Sequence, residues 1–132
     1  MVYIKKKISV TESLINNYAS LFNDFNNIHM SEEAAKKAGF KNRVLHGTAL
    51  LGILSSEIFN KYQESNPVIL KISPSFKNPA YLEDKLITKL NLIKIYKLTN
   101  LHSLYFEILN QDKLVLCQGE IMVKIKIKVQ LL

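Results

Sequence analysis

The sequence predicts a segregated α+β fold in which an antiparallel sheet wraps around one long helix. Three observations carry this reading. Thr48 to about Tyr62 is apolar on most of each turn, so it reads as a largely buried helix. Val68 to Leu132 is strand-like throughout, and the remaining helical periodicity lies before residue 40. Helices followed by a run of strands give a segregated sheet rather than alternating parallel units. At 132 residues one domain, 1–132, is expected, long enough to bury a core.

In chain order, Val2–Val10 reads as a strand in which Lys5, Lys6 and Lys7 interrupt the apolar positions. Thr11 is a candidate N-cap for a helix whose Leu14, Ile15, Tyr18, Leu21 and Phe22 recur at three- and four-residue steps. The poor helix formers Asn23, Asp24, Asn26 and Asn27 break that period. Ser31 followed by Glu32 and Glu33 opens a short second helix, with negative charge at its positive dipole end and Gly39 as its stop. Asn66-Pro67 ends the long helix, and about four antiparallel strands follow. In the last of these, Val115, Cys117, Ile121, Val123, Ile125, Ile127 and Val129 share one face. Gln118, Glu120, Lys124, Lys126 and Lys128 share the other, and Gln111-Asp112 marks a hairpin turn.

Composition narrows the function classes. Eighteen basic against eleven acidic residues give a net charge of +7. Seventeen of the basic residues are Lys, and the single arginine is Arg43. Nucleic-acid readers lean on the bidentate guanidinium, so a Lys-coated surface is the preferred reading and no nucleic-acid partner is expected. The lone Cys117 excludes an intrachain disulfide or a cysteine metal cluster. Neither a signal-peptide h-region nor a bilayer-length apolar stretch is present, so a cytoplasmic location away from membranes is expected. Gly39, Gly47, Gly52 and Gly119 are too scattered for a phosphate loop.

The chemistry is therefore sought among few residues. Asp24 and His29, on the Asn-rich break, could share a water in general acid–base work. Taken singly, Asp24 could equally end a helix and His29 be a half-exposed loop residue. Gly47 follows His46 directly before the long helix. Its N–H and the helix dipole could stabilise negative charge on a carbonyl oxygen, or the pair could simply form a turn with a satisfied structural histidine. Ser55 either bonds back to a helix carbonyl or points into a polar pocket; no nucleophile elbow surrounds it.

Together these residues form a pattern. Asp24-Phe25-Asn26-Asn27-Ile28-His29, then Ala34 to Phe40, then Arg43-Val44-Leu45-His46-Gly47, resembles the MaoC-like (R)-specific enoyl-CoA hydratase family. Phe76-Lys77-Asn78-Pro79 with Asp84 is a later echo. Asn23 stands where the family has Gly and can take the same left-handed backbone; Asn27 stands where it has Pro. The resemblance implies a hotdog fold with a long central helix, a homodimer, and an acyl thioester as substrate. The thioester would be carried on CoA or a carrier protein, with no cofactor and no metal. It implies Asp24 and His29 as the catalytic pair, Gly47 as donor to the thioester carbonyl and Ser55 as support for the pair. Asn26 would shape the loop, and His46 and Arg43 would support the segment, Arg43 by tying loop carbonyls or a substrate phosphate. Two alternatives stand beside this one. Hotdog acyl-thioester hydrolases often place a carboxylate on the central helix, for which Glu57, expected to be solvated, is the candidate. A non-catalytic binding module for a carrier protein or nucleic acid would use the Lys124, Lys126 and Lys128 face.

Overall fold

The computed structural model describes residues 2–4 and 7–126. The elements run β1 (Val2–Ile4), β2 (Ile8–Ser9), α1 (Glu12–Phe22), α2 (Asn27–Met30), α3 (Glu32–Lys37) and α4 (Gly47–Lys61). A 3-10 turn at Gln63–Ser65 then leads to β3 (Val68–Phe76), β4 (Lys85–Tyr96), β5 (Leu101–Leu109) and β6 (Val115–Lys124).

The caps read from sequence do what their chemistry dictates. Thr11 accepts a hydrogen bond from the Leu14 N–H at 3.0 Å, and Ser31 accepts one from the Ala34 N–H at 3.1 Å. Asn23 ends α1 in the left-handed region, φ 55°, ψ 39°. The break after it contains one unanticipated turn, α2, which Asn26 caps through its side-chain oxygen. The expected first strand is two short pieces, each on β4: Val2 pairs with Asn91 and Ile8 with Leu86. Ile127, Lys128 and Val129, expected to continue the alternation of β6, lie outside the described residues.

All strand pairs are antiparallel, in the order β1-β4-β5-β6-β3, with β2 also on β4. Leu90 lies opposite Phe106, and Leu104 opposite Ile121, so one sheet face presents a continuous apolar layer. Ala49, Leu50, Leu54 and Ile58 of α4 join that layer in one buried cluster. Each large aliphatic or aromatic side chain so buried contributes roughly 1.5–3 kcal/mol. In β6 a register shift puts Leu116 in the core and leaves Val115 half-buried, because a bulge sets two residues against one.

The long helix is buried along one side rather than all round. Gly52, Ser55, Ser56 and Phe59 form an exposed row at three- and four-residue steps, with Phe59 57% exposed. Small and polar residues at helical spacing open this row in an otherwise apolar sequence. Glu57 is the converse correction. Expected in solvent, it is fully buried on the core side of α4.

Gly119 of β6 lies opposite Pro74 of β3, at φ 156°. A Cβ there would collide with the Ser73 carbonyl oxygen, and that atom belongs to the backbone. Gly119→Ala should therefore separate β3 from β6 and destabilise the protein by about 3 kcal/mol. A fall of about 10 °C in the thermal midpoint is expected; an unchanged melting curve would show that the strands shift at little cost.

Candidate active site

Four segments converge at the N-terminal end of α4: the end of α1, the turn α2, the Arg43–His46 segment and the Phe76–Ala80 stretch after β3. Arg43 fixes their arrangement. The residue is 8% exposed, and its guanidinium makes three contacts. Nε donates to the His29 carbonyl at 2.6 Å, Nη2 to Asn16 Oδ1 at 2.7 Å and Nη1 to Glu12 Oε1 at 3.1 Å. Of the two anticipated uses, tying loop carbonyls is the one realised. A planar five-donor group reaches three partners in fixed directions, which an ammonium on a flexible stem cannot do.

His29 then has little freedom. Its Nδ1 lies 2.6 Å from the Val44 carbonyl, and because a carbonyl only accepts, Nδ1 carries the proton. Nε2 is left as the basic nitrogen. The residue is 8% exposed, not the half-exposed loop histidine one reading allowed. Burial holds its pKa below the ordinary imidazole value of 6.5. The Val44 hydrogen bond opposes this, the facing His46 adds to it, and Asp24 opposes it again. The ring is therefore neutral near pH 7.

His46 is the N-cap of α4 and is 1% exposed. Its Nε2 lies 2.9 Å from the Asp24 backbone carbonyl, so Nε2 carries the proton and Nδ1 is a buried lone pair without a hydrogen-bond partner. The His46 ring stacks on His29, with centroids 3.8 Å apart and planes 25° apart. Its other neighbour is Tyr18, at 4.6 Å, which in turn packs on Phe22 at 4.7 Å. Tyr18 also hydrogen-bonds Thr48 at 2.5 Å, joining α1 to the first turn of α4. Sequence reasoning assigned Tyr18 and Phe22 only to an apolar helix face. The i,i+4 spacing was legible, but not that the row continues into two histidines from other segments.

The Asp24 carboxylate is exposed, and one of its oxygens accepts from the Asn26 N–H at 3.5 Å. Asn26 itself accepts from the Ile28 N–H at 3.4 Å, so it shapes the loop. Gly47 is the first residue of α4, where an N–H has no intrahelical acceptor. It lines a cavity of about 310 Å³ together with His29, Phe40, Leu50 and Phe76. A Cβ on Gly47 would make only ordinary van der Waals contact with the Phe76 ring, at 3.4 Å.

Two anticipated residues are not brought to this point. Ser55 is exposed and has no hydrogen bond to Asp24 or His29. Eight residues of helix place it about 12 Å along the axis from Gly47. Glu57 lies about 15 Å along the same axis and does not line the cavity. Asp24, His29 and His46 each offer a donor atom within 4.8 Å of the others. In each ring one nitrogen is held by a backbone carbonyl, which leaves His29 Nε2 and His46 Nδ1 as the ring atoms without a partner.

Residues 1–102 match the family model of the MaoC like domain. The chain belongs to the MaoC-like domain family. It is 30% identical over 109 residues to a mitochondrial 3-hydroxyacyl-[acyl-carrier-protein] dehydratase of Arabidopsis thaliana, covering 78% of this chain. The match spans 63% of that relative's length. It is 24% identical over 108 residues to the (R)-specific enoyl-CoA hydratase of Aeromonas caviae, covering 82% of this chain and 81% of that protein. The solved (R)-hydratase of A. caviae superposes with a TM-score of 0.87 at 21% identity, over 94% of this chain and 93% of that one. An unliganded R-hydratase of Pseudomonas aeruginosa gives 0.88 at 21%, over 100% and 86%. The hotdog fold is thereby shown. Among the described residues no helix of this MaoC-like protein is long and apolar enough to cross a membrane.

Arg43→Lys removes the fork while keeping the charge. It leaves the buried His29 carbonyl without its donor and should cost about 2–4 kcal/mol of stability. Chemical denaturation read by circular dichroism checks this; a loss within 0.5 kcal/mol would mean that the Arg43 contacts do not hold α1 and α2 together.

Proposed function

We propose that this protein adds water to 2-enoyl thioesters to give (R)-3-hydroxyacyl thioesters, or catalyses the reverse dehydration. The single observation that carries the reading is the cavity shared by a neutral, tautomer-locked His29 and the open Gly47 amide at the start of α4. Both relatives described above are named for this type of reaction, on carrier-protein and CoA thioesters respectively.

The mechanism follows from the charges. Attack of water at the β-carbon moves electron density onto the thioester oxygen, giving an enolate. The Gly47 N–H, at the positive end of α4, is placed to receive that oxygen. Asp24 and His29 hold the water. Its oxygen bonds to the β-carbon while the pair takes one of its protons, His29 through the free Nε2. A proton from the same pair then goes to the α-carbon, so the net change is addition of H and OH. The apolar wall of Phe40, Leu50 and Phe76 receives the acyl chain and excludes bulk water. No step requires a metal or redox cofactor, and the thioester, on CoA or a carrier protein, is the substrate. We further propose a homodimer, whose second copy would cover the exposed row of α4 with Ser55 and Phe59. The hydrolase alternative is disfavoured, since Glu57 lies off the cavity.

Purified protein given crotonyl-CoA should bleach the enoyl absorbance. Asp24→Asn and His29→Ala should each lower kcat by about 10³-fold. The acid limb of kcat/KM should fall below pH 6.5, because His29 must be unprotonated and burial lowers its pKa. Wild-type rates in both variants would remove the pair from the mechanism, and absence of turnover on short and medium enoyl-CoA would remove CoA thioesters as substrates.

A further inference from the structure

His46 occupies a place that the chemistry above does not use. It is a full ring buried at 1% exposure between Tyr18 and His29, and its one donor is committed to the main chain of Asp24. A residue needed only to start α4 would be a small polar cap, and His46 makes no side-chain cap bond. What its two contacts have in common is their target. One holds the backbone of the residue carrying the carboxylate; the other lies flat on the imidazole that carries the base. Both arise from a single side chain at the residue before Gly47, so the water-holding pair and the carbonyl-binding amide share one rigid reference.

We propose that His46 is a positioning residue that sets the separation of the Asp24 carboxylate from the His29 ring, through its hydrogen bond to the Asp24 carbonyl and its stacking on His29. This rests on the hydratase reading given above. The Asp24 loop is otherwise exposed, its side chain making one long contact with the Asn26 N–H. Without the Nε2–H of His46 the loop has one fewer tether to the core. Without the ring face, His29 is held only at Nδ1 by Val44 and through its carbonyl by Arg43. Misplacing either group by an ångström is enough to cost about 10²-fold in rate.

The arrangement also has an electrostatic consequence. The charged or titratable groups facing His29 are His46 from the start of α4 and Asp24 from the loop after α1. Arg43 lies at its carbonyl, and Lys77 lines the same cavity. Tyr18 lies one ring further along the stack. Of these, His46 is the one in face contact, and it disfavours a proton on His29 in the same sense as the burial that is the main cause. Removing it moves the His29 titration to higher pH, a signature that general loosening of a distant cap would not produce.

The test compares His46→Gln with His46→Leu. A glutamine amide nitrogen is the same number of bonds from Cα as imidazole Nε2, so it keeps the donor and loses the ring; leucine loses both. His46→Gln should lower kcat by about 10-fold and His46→Leu by about 10²-fold, with KM changed less than about 2-fold in each. Histidine NMR of the ligand-free protein should show the His29 midpoint at higher pH in both variants, and the acid limb of kcat/KM should move with it. Should the leucine variant not fold, the glutamine variant decides through the His29 titration alone. An unmoved His29 midpoint in folded His46→Gln, or equal kcat losses in the two variants, would overturn the proposal. Absence of hydration by the wild type would instead overturn the functional reading, while the titration would still report on His46.

Discussion

The fold around the site depends on one buried guanidinium. Arg43 lies against α1, the carbonyl end of α2 and the strand-like segment before α4, and each contact uses a different edge of one rigid plane. Burying a charge of this kind is tolerable only when its donors are satisfied, so the three partners are held together or the cation is exposed to a large desolvation cost. The Glu12 partner is 71% exposed and contributes little attraction in water. The weight falls on the neutral acceptors, the His29 carbonyl and Asn16. In a chain that otherwise uses Lys for every positive charge, this is the position where a point charge would not serve.

From that anchor the site is built by backbone polarity more than by side-chain charge. The Val44 carbonyl fixes which His29 nitrogen is free, and the Asp24 carbonyl fixes which His46 nitrogen is free. In the reaction proposed above, the unspent N–H at the start of α4 is the donor for developing negative charge. These groups are preorganised because they belong to the main chain of elements already tied by the sheet and by Arg43. They need not reorient as charge develops, which is the condition under which dipoles lower a barrier.

Much of this was legible in the sequence, for local reasons. Thr11, Ser31 and Asn23 act within their own turn, so residue type suffices to place them. The Asp24–His29 and His46–Gly47 groupings were legible because both sit at breaks in helical periodicity. The ring row was not. Tyr18 and Phe22 follow one helical period, but His46 and His29 join them only through tertiary packing of three segments. Glu57 and Ser55 failed in opposite directions for the same reason. Residue polarity predicts solvent for a glutamate, and a motif position predicts the site for a serine. Which side of α4 faces the sheet is decided instead by the apolar set Leu50, Leu54 and Ile58. Glu57 shares their side, whereas Ser55 shares the row with Gly52 and Phe59.

The same stacked pair ties catalysis to stability. In the folded protein burial and the facing His46 disfavour a proton on His29, whereas in the unfolded chain the ring titrates near its ordinary 6.5. Between the lowered folded value and 6.5 the unfolded state therefore binds more protons. Stability then rises with pH through that window and is fully present above it. His102 acts in the same sense at the far end of α4, where burial and then Lys61 lower its pKa. There Tyr62 Oη lies 2.8 Å from His102 Nδ1, and burial pushes the phenol up to about 12, so the hydroxyl keeps its proton and donates to a neutral ring. Both ends of the central helix are thus joined to neighbouring segments through imidazole rings. The base of the proposed reaction, which must be unprotonated to act, is housed in a fold that is most stable when it is unprotonated, so one condition, pH above the lowered His29 value, serves structure and the proposed reaction together.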